Sequence, residues 1–289
     1  MKENILITER DFLILKYLWK WKLLSTKAIS IKFFPNSNDD TAYKRMMLLT
    51  KAGYLKPRYV NDECPRGQIR QQVWGLNRKG FHRILQYLGE LKIKGYFSSN
   101  STHDYLATSL HLGEWLLRQP PDSQTWSEQE LNSIPTELWP NWVPKSDLHR
   151  PDGFTAFNYK NRRHVLAFEV ELHVKSSARY EAIAAYYDSC EEINHVIWLV
   201  KSIGNYKSIK KHLTKHGLRN TDKHRFINLK DFEKYGWNSN FIESENVTLK
   251  LQDLIFTLPP TMPRQSPPCL LTLDMLNARK RPKNTRTCK

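Results

Sequence analysis

Three acidic side chains lie in two neighbouring segments that otherwise have the composition of buried strands. Asp152 stands in Arg150-Pro-Asp-Gly153, and Glu169 and Glu171 follow in Phe168-Glu-Val-Glu-Leu-His-Val-Lys175. Carboxylates rarely occur in such surroundings unless a partner compensates their charge. Mg²⁺ and Mn²⁺ are suitable partners, because they prefer hard oxygen ligands and also bind phosphate oxygens. The pattern therefore predicts a Mg²⁺ or Mn²⁺ site that acts on a phosphodiester.

The alternation of residue types in the second segment places both glutamates on one face of a strand. Between Val165 and His173, the even-numbered positions are apolar, while Glu169 and Glu171 occupy the odd-numbered face. A two-residue turn at positions 160–161 would pair residue 152 with residue 169, and paired residues share a face. This register is an assumption, because a slip of one residue would turn Asp152 away. With this register, the three acids converge within reach of one metal ion.

Cleavage of a phosphodiester also needs positive charge close to the transition state. Lys175, which follows the glutamates in the same segment, is the first candidate for this role. Arg179, on the helix predicted to follow, is the second candidate, and the sequence leaves the choice open.

Other interpretations of these residues remain open. The acids could form ordinary ion pairs with Arg150, Arg162 or Arg163. Three tyrosines, at positions 180, 186 and 187, could attack a phosphodiester and retain the DNA end covalently. Their helical spacing favours a packing role instead.

The net charge indicates the kind of partner. The 289 residues include 45 Lys and Arg against 29 Asp and Glu, a formal net charge of +16, which favours polyanions such as nucleic acid. No apolar run approaches the roughly 20 residues that span a bilayer, and charges interrupt the N-terminal segment where a signal peptide needs an apolar core. Four scattered cysteines form no C-x-x-C pair. We therefore expect a cytoplasmic protein without membrane insertion that binds nucleic acid.

The N-terminal part has the pattern of a winged helix-turn-helix. Thr8 is the expected N-cap of a first helix, a second helix follows Ser25, and a third extends from Asp39 to Gly53. Two strand-like runs and a fourth helix that begins at Asn77 complete the pattern.

Basic residues of this part are candidates for DNA contacts. The third helix would enter the major groove, and the wing would reach phosphates or a minor groove. The candidates on the third helix are Lys44, Arg45 and Lys51, and those on the wing are Arg58, Arg66 and Arg70. Alternatively, these are solvated charges on a winged helix that binds protein.

A polar stretch from Gly95 to Ser101 marks a domain boundary. A helix over 103–118 and a short strand near Trp126 are expected after it. The strands that follow are predicted at 154–159, 165–173, 195–200 and 225–228, the helices at 178–187 and 206–216, with a final helix near 247–256. This alternation predicts an α/β layer with a parallel crossover. The expected parts are residues 1–97, 98–258 and a flexible basic tail over 259–289.

The acidic segments resemble the PD-(D/E)-x-K nuclease superfamily. Pro151-Asp152 matches the first half of the motif and Glu169-Val170-Glu171 the second, with Glu171 where the lysine is expected. The lysine migrates in that superfamily, so the resemblance implies that Lys175 is its displaced equivalent. It also implies that Asp152, Glu169 and Glu171 are the metal-binding and catalytic acids.

The combination of a winged helix with these motifs is similar to the replication-relaxation family and to MobC-type plasmid mobilisation relaxases, over roughly residues 5 to 230. This resemblance implies an α+β protein in which an N-terminal winged helix-turn-helix precedes an α/β restriction-endonuclease-like domain. It implies a strand-specific nick at an origin of transfer during conjugation. Double-stranded DNA, single-stranded DNA and coupling or relaxosome proteins are the implied partners.

Two other functions stay open at this point. A non-catalytic DNA-binding regulator or accessory protein with a decayed nuclease domain would account for the missing E-x-K lysine. A transposon-end or restriction-like nuclease would use the same acids but would make double-strand breaks.

Overall fold

Two β-sheets, each with its own helices, form the part of the chain that the structure describes. The computed structural model describes residues 5–62, 69–88, 103–106, 123–146, 148–159, 162–215, 223–242 and 249–256. Within these ranges the protein is a mixture of helices and strands, which confirms the predicted α+β class in this coarse form. None of the helices in these ranges is both long and apolar enough to cross a membrane.

The first sheet belongs to the N-terminal part. The elements in chain order are α1 Glu9–Trp21, β1 Leu23–Ser25, α2 Thr26–Phe33, α3 Asp39–Lys51, β2 Leu55–Asp62, β3 Ile69–Leu76 and α4 Arg78–Leu88. The three strands are antiparallel in the order β1-β3-β2.

Local sequence explains where the first three helices begin. The side chains of Thr8, Ser25 and Asn38 each accept a hydrogen bond from a backbone N–H in the first turn of the helix that follows. The predicted starts of these helices are confirmed. Strand β1 was not predicted, because three residues are too few to display a period of two. It forms only because β3 supplies its hydrogen-bonding partner.

The second sheet belongs to the C-terminal part. Its elements, with the helices around them, are β4 Gln124–Ser127, α5 Glu128–Ser133, β5 Gly153–Tyr159, β6 Arg162–Glu171, α6 Ser177–Ser189, β7 His195–Val200, α7 Ile203–Lys215, β8 His224–Asn228, α8 Leu229–Tyr235 and α9 Asp253–Phe256. The strand order is β4-β5-β6-β7-β8. Strands β4, β5 and β6 are antiparallel, and β6, β7 and β8 are parallel, which confirms the predicted parallel crossover.

The register of the β5–β6 hairpin decides where the acids lie. Tyr159 is paired with Arg162 and Gly153 with Phe168, so residue 152 lies across from residue 169. The predicted register is therefore confirmed, although residues 160 and 161 themselves lie outside the described ranges.

Helices cover both faces of this sheet. Val165 and Ala167 of β6 pack with residues of α6 and α7, while Leu166, Phe168 and Val170 pack with α8 on the opposite face. Strand β7 is buried along almost its whole length, as expected for a parallel strand covered on both faces. Glu169 and Glu171 therefore point into a buried layer.

Several predicted boundaries differ from the structure. Strand β6 ends at Glu171 and not at His173, so His173 and Lys175 belong to the connection before α6. Helices α5 and α8 were missed, because each is only six or seven residues long. Of the predicted helix over 103–118, residues 103–106 are helical and the remainder lies outside the described ranges, as do the domain boundary near 97 and the tail.

Candidate active site

Asp152 precedes β5 and is anchored by backbone groups. Its own N–H donates to the carbonyl oxygen of Phe168 at 3.1 Å, and its Oδ2 accepts the N–H of Val170 at 2.7 Å. The Nε2 atom of His103 lies 3.6 Å from its Oδ1. These contacts fix the carboxylate beside β6, with about 10% of the side chain exposed.

Glu169 is buried and is held by two neighbours that the sequence did not indicate. His149 Nε2 lies 2.5 Å from Glu169 Oε1, and the hydroxyl group of Tyr187 donates to the same oxygen. The imidazole of His149 contacts the rings of Tyr186 and Tyr187 edge-on. This packing fixes the imidazole against the carboxylate.

Glu171 is buried at the end of β6, where the chain turns back on itself. The ammonium group of Lys175 pairs with Glu171 Oε1, and Tyr180 donates to its Oε2 at 3.3 Å. The N–H of Lys175 in turn donates to the hydroxyl oxygen of Tyr180 at 3.1 Å. The structure therefore brings Lys175 to the acids from the turn after the strand. Arg179 is exposed on α6, and no ion pair joins it to the acids among the described residues.

The three acids differ in their pKa values. Burial raises the pKa of Asp152 to about 7, and the negative charges of Glu169 and Glu128 contribute to the rise, while His103 opposes it. Burial also raises the pKa of Glu171, although Lys175 counteracts part of this effect. For Glu169, burial is outweighed by His149 and Tyr187, so its pKa is lowered. Burial therefore disfavours the charged form of Asp152 and of Glu171, whereas the partners of Glu169 favour its charged form.

The donor set can be tested against the requirements of Mg²⁺. In the part of the chain that the structure describes, no group of three or more His, Cys, Asp and Glu side chains could hold a metal ion. Mg²⁺ does not require three protein ligands, because it keeps several waters and binds proteins through one or two carboxylates. Asp152 fits this requirement, since it is an oxygen donor that lies close to other negative charges. Glu171 is also an oxygen donor, and its two oxygens contact Tyr180 and the partly exposed Lys175. Glu169 fits less well, because His149 and Tyr187, which contact its Oε1, are both buried.

The tyrosines near the acids have the properties of packing residues. Tyr180, Tyr186 and Tyr187 are all buried on the side of α6 that faces the sheet. Burial raises the pKa of each phenol well above its usual value, and nearby carboxylates add to the rise. A phenolate nucleophile is therefore strongly disfavoured at these positions.

The basic residues predicted to contact DNA divide into two groups. Lys44 and Lys51 are exposed on α3. Arg45 instead points into the domain, where its Nε lies 2.8 Å from Asp11 Oδ1 and its guanidinium donates to the Leu6 carbonyl oxygen at 2.9 Å. Because its guanidinium already has partners within the domain, a contact of Arg45 with DNA is disfavoured.

The wing residues are only partly described. Arg58 is half-buried in β2 opposite Val73, and Arg70 lies in β3 opposite Asn61. Arg66 lies outside the described residues, between the two strands.

Sequence reasoning missed His149, Tyr187 and Tyr180 as partners of the acids. His149 lies three positions before Asp152, but an isolated histidine in a loop provides no period or spacing signal. Tyr180 and Tyr187 lie on the same face of α6, and this helical spacing indicated a packing role. The structure shows that each also donates a hydrogen bond to one of the acids.

Comparisons with known proteins assign the chain to no family. The sequence matches no protein-family profile and no curated protein. Among solved structures, it is similar to "Structure of restriction endonuclease FokI", with 11% sequence identity and a TM-score of 0.21. The match covers 75% of this chain and 60% of the other.

Proposed function

We propose that this protein is a metal-dependent endonuclease that nicks DNA at a specific site. The observation that carries the proposal is the hairpin register, which sets Asp152 across from Glu169 while Lys175 folds back to Glu171. Two carboxylates with raised pKa values and one lysine at the same sheet edge are the groups that phosphodiester hydrolysis with Mg²⁺ needs.

Each group has a distinct role in the proposed reaction. Asp152 and Glu171 would hold Mg²⁺ or Mn²⁺, which when bound supplies Lewis-acid activation of the scissile phosphate. Lys175, whose side chain is about 38% exposed, presents its ammonium group to the phosphate oxygens. Glu169 keeps the sheet edge negative and, with His149, fixes the geometry of β6.

The N-terminal part provides the specificity in this proposal. Its order of helices and strands, with β1 on one side of β3 and β2 on the other, supports the proposal that this part is a winged helix-turn-helix. Lys44 and Lys51 lie on the exposed side of α3, the helix that such domains insert into the major groove. A specific duplex is therefore the proposed partner, in agreement with the net charge of +16.

The resemblance to replication-relaxation proteins supports a more specific proposal. The target would be a site such as an origin of transfer in a plasmid or another mobile element, and the product a nick in one strand. We propose hydrolysis without a covalent tyrosine intermediate, because the phenols near the acids have raised pKa values.

A nicking assay tests this proposal. The substrate is a supercoiled plasmid that carries the gene with its flanking DNA, incubated with protein and Mg²⁺ or Mn²⁺. We expect a relaxed circle, and we expect Asp152→Asn to reduce its formation by at least about 100-fold. Asp188→Asn, an exposed acid on α6, is the matched control and should retain full activity. A linear product would indicate a double-strand nuclease instead.

A second candidate is a DNA-binding regulator with a decayed nuclease domain. The observation in its favour is that Glu171 stands at the position of the motif lysine, and that Lys175 and Tyr180 already satisfy it. Specific binding of the plasmid without nicking in either metal would support this candidate and contradict the endonuclease.

A further inference from the structure

Lys22, at the end of α1, joins the N-terminal part to the segments around the candidate active site. Its Nζ lies 2.8 Å from Glu128 Oε2 and 3.2 Å from Asp104 Oδ1. The side chain is about 14% exposed, so both ion pairs are largely shielded from water. Burial alone would lower the pKa of Lys22, but the two carboxylates raise it, so the ammonium group stays charged.

The two acids that Lys22 binds lie close to Asp152: Glu128 contacts it directly, and Asp104 is adjacent in sequence to a residue that does. The N–H of Glu128 donates to the carbonyl oxygen of Asp152 at 3.1 Å. Asp104 follows His103, whose Nε2 lies 3.6 Å from Asp152 Oδ1. The ammonium group of Lys22 thus anchors two segments. One contacts the main chain of Asp152, and the other contacts its side chain.

The backbone of Lys22 supports a specific role for this side chain. Its φ of 65° lies in the left-handed region, where glycine is favoured and other residues are strained. Among the described residues, Lys22 is the only one other than glycine with a positive φ. A strained backbone persists where the surrounding contacts require that residue.

We propose that Lys22 is a positioning residue for Asp152. Through its two ion pairs, the packing of the N-terminal part against the C-terminal part sets the position of Asp152 in the active site. The proposal rests on the proposed endonuclease function. It predicts that loss of the ammonium group lowers the rate of nicking without weakening the binding of DNA, because a displacement of about 1 Å at a reacting group can reduce the rate by about 100-fold.

Lys20 provides a matched control on the same helix. Its Nζ also crosses to the C-terminal part, where it contacts the Thr125 carbonyl oxygen at 2.8 Å and Glu130 at 3.1 Å. Glu130 belongs to the capping box of α5. Among the described residues, no hydrogen bond or ion pair joins its side chain to Asp152. Lys20→Met therefore removes a similar contact between the two parts and leaves the ion pairs of Lys22 with Glu128 and Asp104 in place.

The experiment uses the full chain in four variants, Lys22→Met, Lys22→Arg, Lys22→Gly and Lys20→Met. We measure kcat and KM for plasmid nicking, Tm, and the hydrogen–deuterium exchange of the Glu128 amide. For Lys22→Met and Lys22→Gly we expect kcat to fall by about 10- to 100-fold with KM unchanged. Lys22→Arg should restore part of the loss, and Lys20→Met should match wild type.

Lys22→Gly separates positioning from a purely structural role. Glycine relieves the strained φ and so offsets part of the stability lost with the two ion pairs. A purely structural role therefore predicts a smaller fall in Tm than in Lys22→Met, together with full activity. Full activity in Lys22→Gly, or equal losses of kcat in Lys22→Met and Lys20→Met, would overturn the proposal.

The exchange measurement distinguishes a failure of this proposal from a failure of the proposed function. If wild type does not nick DNA, the endonuclease proposal fails, and exchange alone decides the role of Lys22. We then expect faster exchange of the Glu128 amide in Lys22→Met, with the Glu130 amide unchanged as the internal reference. Equal protection of the Glu128 amide in wild type and Lys22→Met would refute positioning by Lys22.

Discussion

Asp11 in the N-terminal part and Asp152 in the C-terminal part both face inward, but only the charge of Asp11 is fully compensated by its partners. Asp11 is completely buried and accepts hydrogen bonds from Arg45 and from both the N–H and the hydroxyl group of Thr8. Although burial raises the pKa of Asp11, these partners outweigh it and the pKa is lowered. Asp152, by contrast, accepts one backbone N–H and faces other carboxylates, so its pKa is raised to about 7.

The difference indicates different uses of the same residue type. A buried carboxylate with a complete set of donors stabilises the fold and is not available for other ligands. A largely buried carboxylate with excess negative charge around it costs stability, and a cation would offset that cost. Local conflicts of this kind mark functional sites. Four changes test the comparison.

Arg45→Met should have the largest effect. It leaves the buried carboxylate of Asp11 without its cation, which typically costs about 3 kcal/mol in the free energy of unfolding. Urea denaturation monitored by tryptophan fluorescence measures this loss. Lys44→Met, the exposed neighbour, is the control and should stay within about 0.5 kcal/mol of wild type. Equal stability of the two variants would show that the Asp11 pair contributes nothing.

His149→Phe should cost about 2 kcal/mol, because it removes a hydrogen-bonding partner of the buried Glu169. The pKa of Glu169 is lowered, so its contribution to stability is present above its unfolded pKa and is lost as the pH falls through its folded pKa. Unfolding free energies between pH 7 and pH 3 should therefore fall less steeply in the variant. An unchanged slope would indicate that His149 does not stabilise the carboxylate.

Asp152→Asn should stabilise the protein by about 1–2 kcal/mol at pH 8, the opposite of a change at Asp11. Because the folded pKa of Asp152 is raised to about 7, wild type loses stability as the pH rises from about 4 to about 7. Asparagine avoids that loss and can still accept the N–H of Val170. Denaturation at pH 8 and pH 5 measures the difference, which should shrink at pH 5.

Added Mg²⁺ extends this comparison. At pH 8 it should raise the Tm of wild type but not that of Asp152→Asn, because only wild type offers the charged carboxylate. If Asp152→Asn is less stable than wild type at pH 8, the partners of Asp152 compensate its charge as fully as those of Asp11 do.

Lys44→Ala and Lys51→Ala should have the smallest effects on the protein itself and act only on binding. If each lysine contacts a phosphate, each change lowers the slope of log K against log salt concentration by roughly 0.9. Binding measured by fluorescence anisotropy at several salt concentrations tests this. An unchanged slope in the double variant would place the DNA-binding surface away from α3.

Much of the N-terminal part was predictable from its sequence, because its signals are local. Thr8, Ser25 and Asn38 cap helices within their own neighbourhoods, and each helix is long enough to display its period. The pairing of Arg45 with Asp11 joins two helices that are distant in sequence, and nothing in either helix alone distinguishes Arg45 from its exposed neighbour Lys44.

The candidate site shows the same division. The parity of β6 and the length of the turn after β5 determined that Asp152, Glu169 and Glu171 share one face, because both are rules of local geometry. The end of β6 at Glu171, which brings Lys175 back to the acids, depends on the tertiary structure.

The sequence by itself determined the residue types at the sheet edge, the alternation that places Glu169 and Glu171 on one face of β6, and the positive charge that favours polyanions. Only the tertiary structure decided which acids are compensated. His149 and Tyr187 reach Glu169 from a loop and a helix, and Lys22 reaches the surroundings of Asp152 from the N-terminal part. The physical reason is that a pKa depends on burial and on charges close in space, and neither is a property of neighbours in sequence.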